Sequence, residues 1–292
     1  MYMGKSRRLT IMSAASLLMM LSCLGHGWAQ TVKGPCGLAL DASGNLYVAN
    51  FYSDQVLVYN PNYVQQSGKS IGSEVSGPVG VALDSKGNVY VANQTSNSVT
   101  QYSPTGVLNT RFSISGINVP YAIAIDGVDD LYVLNALPLP LGNVMVFTLA
   151  DTIYGPFLLR TITPTDAYPH VIAVHAGDLY IGTDGDLEKG FISELLAGAG
   201  GLLGMQSTYP VVALATDRAG DLYDGIIDTG NGNNEVDVWT PKGGPVVFLS
   251  QLSFTPAGMV VDSARGRVYL SNQQGNQVLV YSTNGTLLHT IQ

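Results

Sequence analysis

The residues best suited to chemistry in this sequence follow short apolar segments that begin with proline. Tyr121 follows Pro120 and His170 follows Pro169, so a phenol and an imidazole occupy equivalent places in two such segments. An imidazole transfers protons near neutral pH, and a phenol donates a hydrogen bond. A lone histidine falls short of the three or four ligands of a zinc site. We therefore predict that Tyr121 and His170 bind a ligand; the alternative is that they only plug a channel.

A second group of polar residues ends the next strand in these segments or follows it. The predicted ligand-binding members of this group are Asn50, Asn93, Asn135, Asp184 and Asn272. If the first strand of each segment runs from its proline along a common axis, the loops after the second strand open at the same end as the prolines. These side chains are then expected to surround the same mouth as Tyr121 and His170.

A loop at 228–235 is rich in oxygen ligands. Its candidate metal ligands are Asp228, Asn231, Asn233 and Glu235. Carboxylates and amides on a flexible loop suit Ca²⁺, although the spacing is not that of an EF-hand. The alternative is an ordinary Gly/Asn-rich turn, and Ca²⁺ is the only cofactor that the sequence suggests.

Catalytic motifs are otherwise missing from the sequence. No Ser-His-Asp order, phosphate loop, Cys-x-x-Cys or His-Glu-x-x-His occurs after residue 29. Five aspartates recur in turns, and we interpret them as caps of a repeated turn rather than as paired acids and bases. They are Asp41, Asp84, Asp126, Asp217 and Asp262. These observations argue against catalysis.

The elements that must position these residues form an internal repeat. Six copies of a Pro-led apolar strand, a tight turn and an apolar-Tyr strand contain Tyr47, Tyr90, Tyr132, Tyr180, Tyr223 and Tyr269. The tyrosines are separated by 43, 42, 48, 43 and 46 residues. A period of about 40–50 residues with several strands in each unit is typical of a β-propeller. We predict an all-β, six-bladed propeller with four antiparallel strands in each blade.

The second copy shows the expected order of strands. Gly80 to Leu83 is followed by the turn Asp84-Ser-Lys-Gly-Asn88, and Val89 to Ala92 forms the next strand. Ser98 to Tyr102 alternates as a third strand, and Val107 to Ile114 is a weaker fourth.

This order resembles the NHL-repeat family of six-bladed propellers. The resemblance rests on the Pro, the Asp-x-x-Gly-Asn turn, the Tyr-Val-Ala-Asn strand and the apolar third strand, and it covers about 34–292. Senescence-marker/gluconolactonase-like lactonases, streptogramin lyases and YVTN-repeat proteins have similar repeats. The lactonases are expected to need an acidic ligand near the first blade, where this chain has Lys33-Gly-Pro-Cys-Gly37.

The first 29 residues predict a secretory signal peptide. Lys5, Arg7 and Arg8 precede an apolar stretch that ends in Gly27-Trp-Ala29, and the stretch is short for a transmembrane span. Cys23 loosely resembles a lipoprotein cleavage site. We predict export to the periplasm, the cell envelope or the medium, with residues 34–292 forming the propeller.

The negative formal charge of the chain argues against some classes of binding partner. Removal of residues 1–29 leaves 10 basic and 21 acidic residues, a formal charge of −11. Nucleic acids and anionic lipids require clusters of Lys and Arg, so neither is an expected partner. We predict a non-catalytic module that binds an unknown protein or small molecule, such as a scaffold or adhesion protein. The alternative is a divergent metal-dependent lactonase or lyase.

Overall fold

The computed structural model describes most of the chain after residue 31. The described residues are 32–137, 142–149, 155–164, 168–183, 191–195, 202–206, 209–227, 233–240 and 244–292. For 191–195 and 202–206 only the backbone is considered. The predicted signal peptide and Cys23 lie outside the described residues.

The described strands form six antiparallel sheets, one for each copy of the sequence repeat. Sheet one contains β1 (Pro35–Leu40), β2 (Leu46–Asn50) and β3 (Gln55–Tyr59), and sheet two contains β4 (Pro78–Leu83), β5 (Val89–Asn93) and β6 (Ser98–Tyr102). Sheet three contains β7 (Pro120–Ile125), β8 (Asp130–Asn135), β9 (Asn143–Thr148) and β10 (Phe157–Ile162).

The remaining three sheets have four strands each. Sheet four contains β11 (Pro169–His175), β12 (Asp178–Thr183), β13 (Phe191–Leu195) and β14 (Leu202–Gln206). Sheet five contains β15 (Val211–Thr216), β16 (Leu222–Ile226), β17 (Asn234–Trp239) and β18 (Pro245–Leu252). Sheet six contains β19 (Pro256–Asp262), β20 (Arg267–Asn272), β21 (Gln277–Ser282) and β22 (Leu287–Ile291). Two short 3₁₀ turns, Phe51–Ser53 and Ser67–Lys69, lie in the loops around β3.

The first strands of the sheets form a closed ring around an axis. Each of β1, β4, β7, β11, β15 and β19 contacts the first strand of the next sheet, and β19 contacts β1. The chain is therefore a β-propeller with antiparallel sheets, as the repeat predicts.

The prediction of four strands in every sheet is wrong for sheets one and two, which have three. After β3, pairing is limited to the isolated bridges Val56–Ile71 and Tyr59–Gln65. After β6, Tyr102 bridges Leu108, and a turn from Asn109 to Phe112 then leads the chain away from the sheet.

The cores lie in the seams between neighbouring sheets. Along each second strand, alternate residues face opposite seams: Leu46 and Val48 pack against sheet six, whereas Tyr47 and Ala49 pack against sheet two. All six repeated tyrosines are buried, with at most 9% of their surface exposed. The hydroxyl groups of Tyr90 and Tyr132 each donate to a turn aspartate at 3.1 Å.

The turn aspartates cap their turns. Asp84 Oδ1 accepts the backbone N–H groups of Lys86 and Asn88 at 3.0 and 2.8 Å. The same two bonds recur at Asp41, Asp126 and Asp217. Their recurrence therefore follows from the recurrence of the turn, which agrees with their interpretation as caps.

Direct hydrogen bonds between sheets six and one close the ring. Asn276 Oδ1 accepts the N–H of Gly34 at 2.8 Å, and the Ser271 hydroxyl donates to the Cys36 carbonyl at 2.7 Å. All four strands of sheet six come from residues 256–291, and within the described residues no strand precedes Pro35.

Candidate functional site

A β-bulge interrupts the first strand of every sheet just after its start. Pro120 pairs with Asn135 and Ala122 pairs with Leu134, so Tyr121 has no partner opposite it on β8. In sheet four His170 is skipped in the same way. The equivalent skipped residues in the other sheets are Cys36 and Gly37, Val79, Val212 and Ala257. A bulge redirects a side chain and is common beside active sites.

A cavity of about 80 Å³ lies on the axis at the end where the first strands begin. Tyr121 and His170 line it together with the bulge residues Val79 and Ala257. Its remaining lining is Gly37, Leu38, Gly80, Val81, Ala122, Ile123, Val171, Ile172, Val212, Leu214, Gly258 and Met259. In sheets one and five, the bulge residues Gly37 and Val212 line it. Among the residues that the structure describes, the lining contains no Asp, Glu, Lys or Arg.

Tyr121 and His170, here called the mouth pair, lie against each other at the edge of this cavity. Their ring centroids are 5.9 Å apart and their planes differ by 12°. Both side chains are partly exposed. The structure thus brings together the two residues that the sequence placed on separate copies. Whether they bind a ligand stays a prediction.

The backbone leading into each member of the mouth pair has an unusual conformation. Val119 has φ of 50° and Tyr168 has φ of 58°, backbone angles that residues with a Cβ atom rarely adopt. The equivalent residues Gly34 and Gly77 also have positive φ, but glycine adopts it without strain. Such outliers are common at functional sites because the surrounding structure must hold them in place.

Two side-chain amides hold the strained segment before Tyr121. Asn97 Oδ1 accepts the Val119 N–H at 2.6 Å, and Asn135 Oδ1 accepts the Asn118 N–H at 3.0 Å. Asn97 itself has φ of 51°, and two residues with similar φ make the equivalent contact to glycine elsewhere, Asp54 to Gly77 and Asn276 to Gly34. The strained residue is therefore held by a contact that recurs around the ring.

The asparagines predicted at the mouth are engaged within the fold. Asn50, Asn93 and Asn135 are fully buried, and each accepts the backbone N–H of the residue 17 positions earlier. The same spacing of 17 residues, to Lys33, Ser76 and Asn118, recurs in sheets one, two and three. Asn272 is partly buried and accepts the Gly275 N–H at 2.8 Å. Ligand binding by these four residues stays a prediction.

The predicted metal ligands are only partly described. Asp228 and Asn231 lie outside the described residues, whereas Asn233 is exposed and Glu235 lies on β17. Asp184, which was predicted to bind a ligand at the mouth, also lies outside the described residues. Among the described side chains, no group of three or more His, Cys, Asp or Glu residues is placed to hold a metal ion. Whether the loop at 228–235 binds Ca²⁺ stays a prediction.

A buried pair of carboxyl groups was missed by the sequence reasoning. Asp224 on β16 lies directly opposite Asp237 on β17, and Asp224 is fully buried. Asp224 Oδ1 accepts the indole N–H of Trp239 at 3.0 Å. Burial, and then the charge of Asp237, raise the pKa of Asp224 to about 7. The signal was visible, because other copies have Val, Ile or Leu where this one has Asp224.

Solved structures with a similar fold include enzymes. A streptogramin B lyase aligns with a TM-score of 0.63 at 14% identity over 91% of this chain and 85% of that chain. A catalytically inactive His-to-Ala variant of virginiamycin B lyase from Staphylococcus aureus with quinupristin gives 0.62 at 12% identity, over 90% and 86%. A gluconolactonase from Xanthomonas campestris gives 0.60 at 14% identity, over 82% and 84%. No family model and no curated protein matches the sequence.

These similarities define the class of fold as a β-propeller and correct one expectation. The prediction of a non-catalytic binding module is contradicted, because the similar propellers are lyases and lactonases. They favour the alternative, an enzyme of one of these types. At 12–14% identity the likeness establishes the fold alone. Within the described residues no helix is long and apolar enough to span a membrane.

Proposed function

We propose that this chain is an enzyme of the lyase or lactonase type whose active site is the mouth pair. The observation that carries the proposal is the stacking of Tyr121 on His170 at an uncharged axial cavity, each on a bulged strand. The proposal includes the six-bladed NHL-type ring, with one blade for each sheet, and export of the chain after removal of residues 1–29.

The chemistry proposed for His170 is proton transfer. In an elimination, its imidazole takes a proton from the carbon next to the bond that breaks. The C–H electrons form a double bond, and an ester oxygen leaves with the electrons of its bond to carbon. Histidine is the side chain most often used for this role at neutral pH. The His-to-Ala change in the inactive lyase variant supports the choice of residue type.

Tyr121 is proposed to act on the oxygen of the same substrate. A phenol O–H beside the imidazole donates a hydrogen bond to an oxygen that gains negative charge as the bond breaks. The other side chains described around the cavity are apolar, which lowers the local dielectric and strengthens this interaction. In a hydrolysis, the same two groups would activate water and stabilise the oxyanion.

Elimination is favoured over metal-assisted hydrolysis by the composition of the lining. A metal-dependent lactonase needs several convergent oxygen or nitrogen ligands, and the described lining offers one imidazole and one phenol. No step proposed here passes through a metal ion. Asp228, Asn231, Asn233 and Glu235 remain candidate metal ligands, and metal analysis of the purified protein tests them.

Mass spectrometry of the products distinguishes the two reactions. The purified protein is incubated with quinupristin and, separately, with gluconolactone. Ring opening by elimination leaves the mass unchanged, whereas hydrolysis adds the mass of one water. We expect His170→Ala to abolish turnover and Tyr121→Phe to lower kcat about 10²-fold or more, as loss of one oxyanion donor does.

The matched control is His289→Ala, which removes an imidazole from the outer strand β22. We expect it to leave turnover unchanged. Activity that survives the double variant Tyr121→Phe/His170→Ala would place the active site elsewhere. Turnover that disappears on chelation of divalent ions and returns with Ca²⁺ would favour the metal-dependent reading.

A further inference from the structure

The seam between sheets four and five contains two opposed carboxyl groups, at a position where the other sheets have no ionisable residue. Leu222 and Ile226 of β16 pack in this seam with Tyr180 of sheet four. Because side chains alternate between the two faces of a strand, Asp224, midway between them, faces the same seam. Asp237 lies opposite Asp224 across the ladder, so both carboxyl groups, here called the acid pair, point into this seam.

Other sheets show what this place in the fold normally contains. The residue pairs at the same position are Val48 with Leu57, Val91 with Thr100, Val133 with Met145, Ile181 with Ser193, and Leu270 with Leu279. In each of these pairs the second-strand residue is apolar and neither residue is ionisable, so two carboxyl groups here give up hydrophobic stabilisation. Their presence requires a compensating interaction.

Each member of the acid pair has one carboxyl oxygen whose hydrogen-bonding capacity is not used by the described residues. Asp224 Oδ2 and Asp237 Oδ1 are buried, and neither has a hydrogen-bond partner within the described part of the chain. Ionised carboxylates only accept hydrogen bonds, so two of them side by side repel each other and leave both oxygens unsatisfied. One proton between them converts one oxygen into a donor for the other.

We propose that Asp224 and Asp237 share one proton and that this proton holds the seam between sheets four and five closed. The proton resides on Asp224, the more buried member, which donates to Asp237 while Trp239 continues to donate to Asp224 Oδ1. The proposal does not depend on the reaction assigned to the mouth pair.

Other titratable groups border the seam and set the conditions for the proton. Glu235 lies on the same strand as Asp237, and its charge also raises the pKa of Asp224. Tyr180 faces the acid pair from sheet four. At the turn end of the seam, the described ionisable residues are His175, Asp178, Asp217 and Asp221. None of the described groups that face Asp224 is a Lys or Arg, so a proton is the available positive charge.

The sign of the pH dependence follows from the raised pKa. The pKa of Asp224 is about 7 in the folded chain against an ordinary value of 3.8, so the fold holds this proton more tightly than the unfolded chain does. The resulting stabilisation is complete below about pH 4 and is lost as the pH rises through about 7.

The test compares the wild type with Asp224→Asn, which mimics the protonated acid. The amide oxygen still accepts from Trp239, and the NH₂ group donates to Asp237. We expect both proteins to melt at similar temperatures near about pH 5, and the variant to melt several degrees higher near about pH 8. Asp262→Asn is the control, because it removes a buried carboxylate that already pairs with Arg265 at 3.0 Å. We expect it to lower the melting temperature without raising it selectively at high pH.

Carboxyl ¹³C NMR of the wild type provides a measurement that does not depend on a variant. We expect one Asp carboxyl to titrate near about pH 7, and Asp224→Asn to remove that signal. Parallel melting curves of wild type and Asp224→Asn at every pH would overturn the proposal. So would a rise in wild-type melting temperature with Ca²⁺ that Asp224→Asn abolishes, because the acid pair would then hold a cation instead of a proton.

Discussion

Sheets six, one and two differ from sheets three, four and five in the residue that each first strand places on the axis. On the axis the first group has Gly258, Gly37 and Gly80, where the second has Ala122, Val171 and Ala213. The residue before the first proline is glycine in sheets one and two, at positions 34 and 77. In sheets three and four it is Val119 and Tyr168, and all four residues have positive φ. The second group also contains the acid pair.

The glycines of the first group allow close approach of the inner strands. A Cβ added at Gly37 would lie 2.7 Å from Gly80 Cα, and one added at Gly80 would lie 2.8 Å from Ile123 Cγ2. One half of the ring therefore packs at the closest backbone approach that the strands allow. The other half has larger residues on the axis, and it supplies both members of the mouth pair. Sheets six, one and two, the regular half, therefore close the ring by tight backbone packing. Sheets three, four and five, the irregular half, supply the candidate site.

The largest loss of stability is expected at the regular core. Tyr90 is 1% exposed, and its hydroxyl donates to Asp84 while accepting from Gln101. Tyr90→Ala removes a large buried ring and leaves a cavity, so unfolding should become easier by about 3–5 kcal/mol. Chemical denaturation measures this, and Tyr90→Phe separates the ring from the hydroxyl. A midpoint unchanged by Tyr90→Ala would show that the ring contributes nothing to the seam.

The next effect concerns the packed half of the axis. In Gly258→Ala the new Cβ would collide with the Cys36 carbonyl, a backbone group that moves only with the strand. We expect a cost of about 1–3 kcal/mol, as for other overpacked sites. Ala122→Gly, at the equivalent place in the other half, should cost about 0.5–1 kcal/mol through chain entropy. Equal costs in denaturant melts would remove the distinction between the two halves.

Much of this architecture could be predicted from the sequence, because each copy of the repeat contains the strand and turn residues of one sheet. Strand order, turn caps and buried tyrosines follow from periodicity and from turn residues that recur in each copy. Tyr121 and His170 could be assigned to one mouth because both follow the proline of a first strand.

Other features depend on spatial relations that a periodicity does not encode. The missing fourth strands of sheets one and two result from turns that end pairing early. The bulges in sheets one and five place Gly37 and Val212 in the lining of the cavity. Asn50, Asn93 and Asn135 were expected at the mouth, but their backbone partners are visible only once the loops are placed. Asp224 and Asp237 face each other only in a particular strand register.

Relief of the backbone strain at Val119 should leave the stability of the fold intact while lowering activity. Val119→Gly removes the cost of positive φ, about 1 kcal/mol, and the gain in chain entropy of the unfolded state offsets part of it. We expect a melting temperature equal to or slightly above that of the wild type. Because the segment before Tyr121 becomes freer, turnover of the substrate found for the mouth pair should fall. Gly77→Val is the reverse change and should destabilise, because its Cβ would collide with the Thr95 hydroxyl. Stability lost in Val119→Gly would mean that the valine side chain, and not the strain, matters at this position.

The smallest change in stability is expected at the mouth pair itself. Tyr121 and His170 are partly exposed and project from bulges, so their truncation leaves the inner-strand ladder intact. His170→Ala should change the free energy of unfolding by about 0.5 kcal/mol or less, and Tyr121→Ala, which removes a ring packed against the seam between sheets three and four, by about 1 kcal/mol. Both variants should nevertheless lose turnover. The contrast with Tyr90→Ala, measured in the same denaturant series, tests whether the irregular half has kept these two rings for chemistry. A loss of stability comparable to that of Tyr90→Ala would instead make the mouth pair a structural plug of the axis.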